Sequence, residues 1–223
     1  SEAGAEAASS HTGSLSVNDR VFEAVCKRAG IIRVENLEEL IDIAKAFAFA
    51  PIPRGNRIAI ISFTGAGGVM SADSCSGHGL SVIELSKSTT TRLQSNLPSW
   101  ARAGNPIDAE PLFERVGAES SIRIALEAAL EDDRVDCVSL VLVSMPVFDF
   151  DISRVISEFK SKYSEKPIVV HIIGLKDSVD FHTRKLEEIG VPVYPSIERG
   201  IAALSALYRY GQVQRRKPIP HGS

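Results

Sequence analysis

The chain alternates two kinds of apolar pattern. Short aliphatic runs at 57–63, 80–85, 138–143, 168–173 and 191–193 predict β-strands. The first, third and fourth are almost continuously β-branched or aliphatic, as strands buried on both faces must be. Helical periodicity lies between and after them, at 68–77, 89–97, 120–130, 152–162, 177–190 and 197–210. Upstream, Phe22, Val25, Cys26 and Ala29 recur at helical spacing, and Gly30 supplies the left-handed residue that ends such a helix. Ile31-Ile32-Arg33-Val34 predicts a short strand. Asn36, with Glu39 three residues on, has the spacing of a capping box for a second helix. Leu37, Leu40, Ile41, Ala44, Phe47 and Ala48 are the expected buried stripe of that helix.

Strands alternating with helices imply an α/β fold with a parallel sheet and right-handed crossovers. Five strands fit a flavodoxin-like order, 2-1-3-4-5. The first 52 residues hold too little apolar surface to enclose a core. Residues 1–52 are therefore expected to be the C-terminal part of a second α/β domain, and residues 53–223 the flavodoxin-like domain. Pro51-Ile52-Pro53-Arg54-Gly55 joins them. The opening stretch begins with Ser1 and shows no apolar periodicity, so the chain is read as a piece of a longer polypeptide.

Composition narrows the function classes. The 223 residues carry a formal net charge of -3 with 44% hydrophobic residues, which gives no electrostatic reason to expect nucleic acid or an anionic membrane. Arg215-Arg216-Lys217 lies in a proline-containing tail and reads as a solvated end. The longest apolar run, 135–148, is interrupted by Asp136, Ser139, Ser144 and Pro146 and is too short to span a bilayer. No signal peptide is apparent. Cys26, Cys75 and Cys137 fit neither a zinc pattern nor a disulfide framework, so a cytoplasmic setting is expected. His78, His171, His182 and His221 share no metal-ligand spacing, and no metal site is expected in this chain.

Two places can carry chemistry. In open α/β sheets ligands bind beyond the carboxyl ends of the strands, where strand order reverses. The first strand ends there in Thr64-Gly65-Ala66-Gly67-Gly68, leading straight into a helix. Glycines let backbone N–H groups turn toward an anion, and the helix N-terminus favours negative charge. No Walker lysine follows, so this is not a P-loop of the nucleotidase type; a tight turn without a ligand is the other reading. Downstream, Asn105-Pro106-Ile107-Asp108 could form an Asx turn or support the glycine loop. The second place is His11, in Ser9-Ser10-His11-Thr12-Gly13-Ser14. A neutral imidazole flanked by hydroxyl groups can act as a nucleophile toward phosphorus.

The Ser-His-Thr-Gly loop is followed by helix, strand, helix and a proline-rich joint, then a strand, the glycine loop and Asn-Pro-Ile-Asp. In that order the chain resembles the ADP-forming acetyl-CoA synthetases, of the same superfamily as succinyl-CoA synthetase, over residues 5–210. Phe63 and Gly67 depart from it, standing where many relatives carry Asn and Pro. The resemblance implies an acid–CoA ligase that interconverts acyl-CoA, ADP and phosphate with acid, CoA and ATP. It implies His11 as the phosphoryl carrier and Gly65, Ala66, Gly67 and Gly68 as the phosphate-holding helix start. Asn105 and Asp108 fall in a second motif whose role it leaves open. CoA, ATP or ADP and Mg would be used by the intact enzyme, through CoA-binding and ATP-grasp domains or subunits; none is expected to bind within this piece alone. The competing expectation is a non-catalytic synthetase-like module of a protein acyltransferase.

Overall fold

A computed structural model describes residues 4, 10, 18–144 and 151–215 of the chain. The first aliphatic run forms β1 (Arg57–Ser62), buried at every position after Arg57. It lies beside β2 (Ser81–Val82) and β4 (Cys137–Ser144), followed by β5 (Ile168–Gly174) and β6 (Val193–Tyr194), in the order β2-β1-β4-β5-β6. Every pairing is parallel. Counted over the five predicted strands, this is the expected 2-1-3-4-5. A sixth, two-residue strand, β3 (Ile107–Asp108), also pairs with β1, opposite Ile61 and Ser62.

Helices cover both faces, as a sheet buried on both sides requires. On one face lie α2 (Leu37–Phe49), α3 (Gly65–Gly77) and α9 (Ile197–Arg215), sharing a core with Ile58, Ile60, Cys137, Val141 and Val169. On the other lie α4 (Lys87–Asn96), α5 (Glu110–Val116), α6 (Ala118–Glu131), α7 (Ile152–Lys162) and α8 (Lys176–Glu188), packed on Ala59, Ile61, Val138, Leu140 and Val170. Helix α1 (Asp19–Ala29) precedes them and ends as expected, with Gly30 at φ 72°.

Two expectations in the first 52 residues need correction. Residues 31–34 form no strand and have no sheet partner among the described residues. The predicted stripe of α2 is exposed rather than buried: Leu37 is 68% accessible and Ile41 56%. Helix α2 is apolar on more than one side, and its smaller side, Ile43 and Ala46 together with Asp42, meets α9 and β6. Asp42 is buried because its carboxylate accepts from Arg199 Nε (2.5 Å) and Nη2 (2.9 Å), and its carbonyl accepts from the Tyr194 hydroxyl. Lys45 adds an ion pair to Glu187 and donates to the Val193 carbonyl. The 51–55 joint is likewise packed, with the Pro53 carbonyl accepting from Arg215.

Candidate functional site

The site is built where β1 ends. Thr64 is extended (φ -155°, ψ 135°) and caps α3, so the helix starts at Gly65, three residues earlier than periodicity alone indicates. The Thr64 hydroxyl accepts from Gly67 N at 3.4 Å, and its carbonyl accepts from Gly68 N at 3.2 Å. The four glycine-loop positions therefore divide. The N–H groups of Gly67 and Gly68 are spent inside the cap, and both residues are buried. Gly65 and Ala66 are exposed, and nothing lies within 4 Å of where a Gly65 Cβ would stand. Their first-turn N–H groups have no partner among the described residues and lie at the end of the helix that favours an anion.

Gly67 permits a close approach of the turn to β1 and β4. A Cβ there would stand 2.7 Å from Ser62 Oγ and 2.9 Å from Val141 Cγ1. Ser62 cannot yield easily, because its hydroxyl donates to the Thr64 carbonyl (2.7 Å) and accepts from Thr64 N (3.3 Å). Ser62 and Thr64 thus shape the loop although sequence reasoning assigned them no role. A threonine directly before a glycine-initiated helix was the cap signal that could have identified it.

Asp108 lies at the carboxyl end of β1, whereas Asn105 sits further back along the same strand, at Ile58 and Ile60. Asp108 is exposed beside Ser62 and accepts from Glu110 N at 3.2 Å, an Asx turn that starts α5. Asn105 is partly buried and turns its carboxamide inward, toward Ile58, Ile60 and Ile83. Neighbouring β4 ends at Ser144, whose hydroxyl pairs with that of Ser178 on α8. His11 lies outside the described residues, as do residues 145–150.

The other candidate side chains are structural. Cys75 and Cys137 are buried in the α3–α9 core, and burial pushes the Cys75 thiol up to about 12 and the Cys137 thiol well above its ordinary value. His171 is buried in β5, where burial pushes it down to about 4 against a smaller opposing effect of the Ser196 backbone; that contact is too poorly aligned to count as a hydrogen bond by geometry. His182 is also buried and lowered by burial. Among the described residues no group of His, Cys, Asp and Glu could hold a metal ion, and no helix is long and apolar enough to cross a membrane.

Comparison with known proteins agrees with this architecture. Residues 1–47 match the succinyl-CoA ligase like flavodoxin domain, and residues 58–218 match the Ligase-CoA domain. An acetate–CoA ligase (ADP-forming) II of Archaeoglobus fulgidus is 37% identical over 211 residues, covering 95% of this chain and 31% of the relative. The alpha subunit of acetate–CoA ligase (ADP-forming) I of Pyrococcus furiosus is 33% identical, covering 95% and 45%. A dinucleotide-forming acetyl-coenzyme A synthetase 1 of Ca. Korarchaeum cryptofilum, solved in complex with phosphate and ADP, superimposes with a TM-score of 0.84 at 28% identity, over 96% of this chain and 46% of that one. The chain thus spans less than half of the length of these relatives, from 31% to 46%. It belongs to the Ligase-CoA domain family.

Proposed function

We propose that the chain is the phosphoryl-handling part of an ADP-forming acyl-CoA ligase. In this reading phosphate attacks the thioester, CoA leaves, and the acyl phosphate passes its phosphoryl group to a ring nitrogen of His11, releasing the free acid. Phosphohistidine then gives the group to ADP. A histidine is suited to both transfers because its neutral ring attacks and its phosphorylated ring leaves readily. CoA, nucleotide and Mg would be held by CoA-binding and ATP-grasp modules outside these 223 residues, and the site of reaction would be cytoplasmic.

The observation that carries the reading is the exposed pair Gly65 and Ala66, whose first-turn N–H groups have no partner among the described residues, at the start of a 13-residue helix and at the strand-order reversal. Asp108, exposed opposite Ser62 at the same end of β1, would limit the space to a ligand that tolerates a nearby carboxylate. Similarity to named ligases favours this function over a non-catalytic module of an acyltransferase.

Gly65→Pro tests it. Proline is tolerated at the first helical position, Thr64 already has the extended backbone that precedes proline, and there is open space for the ring. The substitution removes one N–H and little else. A hydrogen bond to a charged group is worth about 1.5–3 kcal/mol, so phosphate binding is expected to weaken by roughly tenfold or more. Unchanged phosphate affinity in the folded variant rejects the site.

The same reading treats residues 1–52 as the end of a domain that continues upstream, with α2 also packed on α9 of the following domain. Its support is the exposed stripe Leu37, Leu40, Ile41 and Phe47 on α2, with Val21, Phe22 and Val25 on α1. An apolar face of this extent is ordinarily covered.

A further inference from the structure

Strands β2 and β3 share one edge of β1. β2 pairs at Arg57 and Ile58, and β3 at Ile61 and Ser62. The sheet therefore forks between them. Had the β1–β2 register continued, Ile60 N–H would face the carbonyl of Ile83. The Asn105 carboxamide stands there instead. Its Oδ1 accepts from Ile60 N (2.9 Å), and its Nδ2 donates to the carbonyls of Ile83 (2.8 Å) and Ile58 (2.8 Å). One side-chain amide thus replaces a peptide rung, with both of its N–H bonds used. A group so engaged has no donor left for a ligand.

What the clamp holds is the anion-binding turn. Immediately after Asn105, Pro106 packs under α3, with its Cβ 3.4 Å from where a Gly68 Cβ would stand. Ile107 and Asp108 then pair with Ile61 and Ser62, and Ala109 N donates to the Ser62 carbonyl at 2.8 Å. Ser62 in turn holds both backbone groups of Thr64, the cap of α3. We propose that Asn105 is a positioning residue for phosphate: through the fork in the sheet it sets where the Gly65 and Ala66 N–H groups point, without touching the ligand. The proposal rests on the phosphate reading above.

The chemistry separates carboxamide from near neighbours. Aspartate has the same shape but sets a carboxylate against two carbonyl oxygens. Serine keeps a small polar group but cannot span the fork. In the full-length enzyme, inorganic phosphate and ADP binding are measured by titration calorimetry for wild type, Asn105→Asp and Asn105→Ser. A displacement of the turn by a fraction of an ångström is expected to weaken phosphate about tenfold in both variants, while ADP affinity stays within about twofold. Equal losses for phosphate and ADP, unchanged phosphate affinity, or loss of the folded state in both variants would assign Asn105 to the fold alone and overturn the proposal. Gly65→Pro separates the two claims. If it weakens phosphate while both Asn105 variants do not, the phosphate site stands and the positioning role fails. If wild type binds no phosphate, the reading beneath the proposal fails with it.

Discussion

Lowering the pH from 7 to 5 is expected to weaken the fold through His171. This side chain is 1% accessible, and burial holds it neutral by pushing its pKa from 6.5 down to about 4. The unfolded chain binds a proton at His171 near the ordinary value, and the folded chain does not. Stability from this group is therefore fully present above about pH 6.5 and is lost as the pH falls toward 4. Protonation of the unfolded state at pH 5 is worth about 2 kcal/mol by linkage, and at pH 7 about 0.2. The net loss is about 2 kcal/mol. The Ser196 backbone and, to a lesser extent, Glu198 favour the charged ring and reduce the shift without reversing it. The assay is urea unfolding of wild type and His171→Leu at both pH values, which cancels contributions common to the two, including that of buried His182. Wild type is expected to lose about 2 kcal/mol more than the variant between pH 7 and 5. Parallel losses would refute the argument that burial alone keeps this ring neutral.

Three further outcomes follow from packing and burial. Gly67→Ala sets a methyl group against Ser62 Oγ and Val141 Cγ1, at 2.7 and 2.9 Å; thermal unfolding is expected to show a loss of about 1–3 kcal/mol. Arg199→Ala leaves the buried Asp42 carboxylate unpaired, but the Arg199 side chain is 35% exposed, so the cost is discounted to about 2 kcal/mol, measured by denaturant midpoint. Cys75 and Cys137 are expected to resist a thiol reagent at pH 8 in the folded chain and to react once urea is added, because burial suppresses both thiolates.

Sheet order was legible because the long strands, β1, β4 and β5, are aliphatic runs whose burial on both faces leaves little choice of place. Strand β3 was not, since two residues after a proline carry no period and its pairing with Ile61 and Ser62 is a tertiary contact. Helix α5 was missed for a related reason, being seven residues long with Pro111 in its first turn. The burial of α2 was read from its larger residues. The structure instead buries the side that carries Asp42, because only the Arg199 pairing makes that carboxylate affordable, and α9 lies more than 150 positions downstream. At the site, glycine content located the turn but could not divide it. Which N–H groups are free depends on the Thr64 cap, a choice of backbone conformation rather than of residue type.

The central claim is that His11 carries the phosphoryl group, and incorporation of γ-phosphate label from ATP into the full-length enzyme tests it most directly. Wild type is expected to take up acid-labile label that chases into ADP, and His11→Asn to take up none. Label appearing in His11→Asn at the wild-type rate would contradict the account.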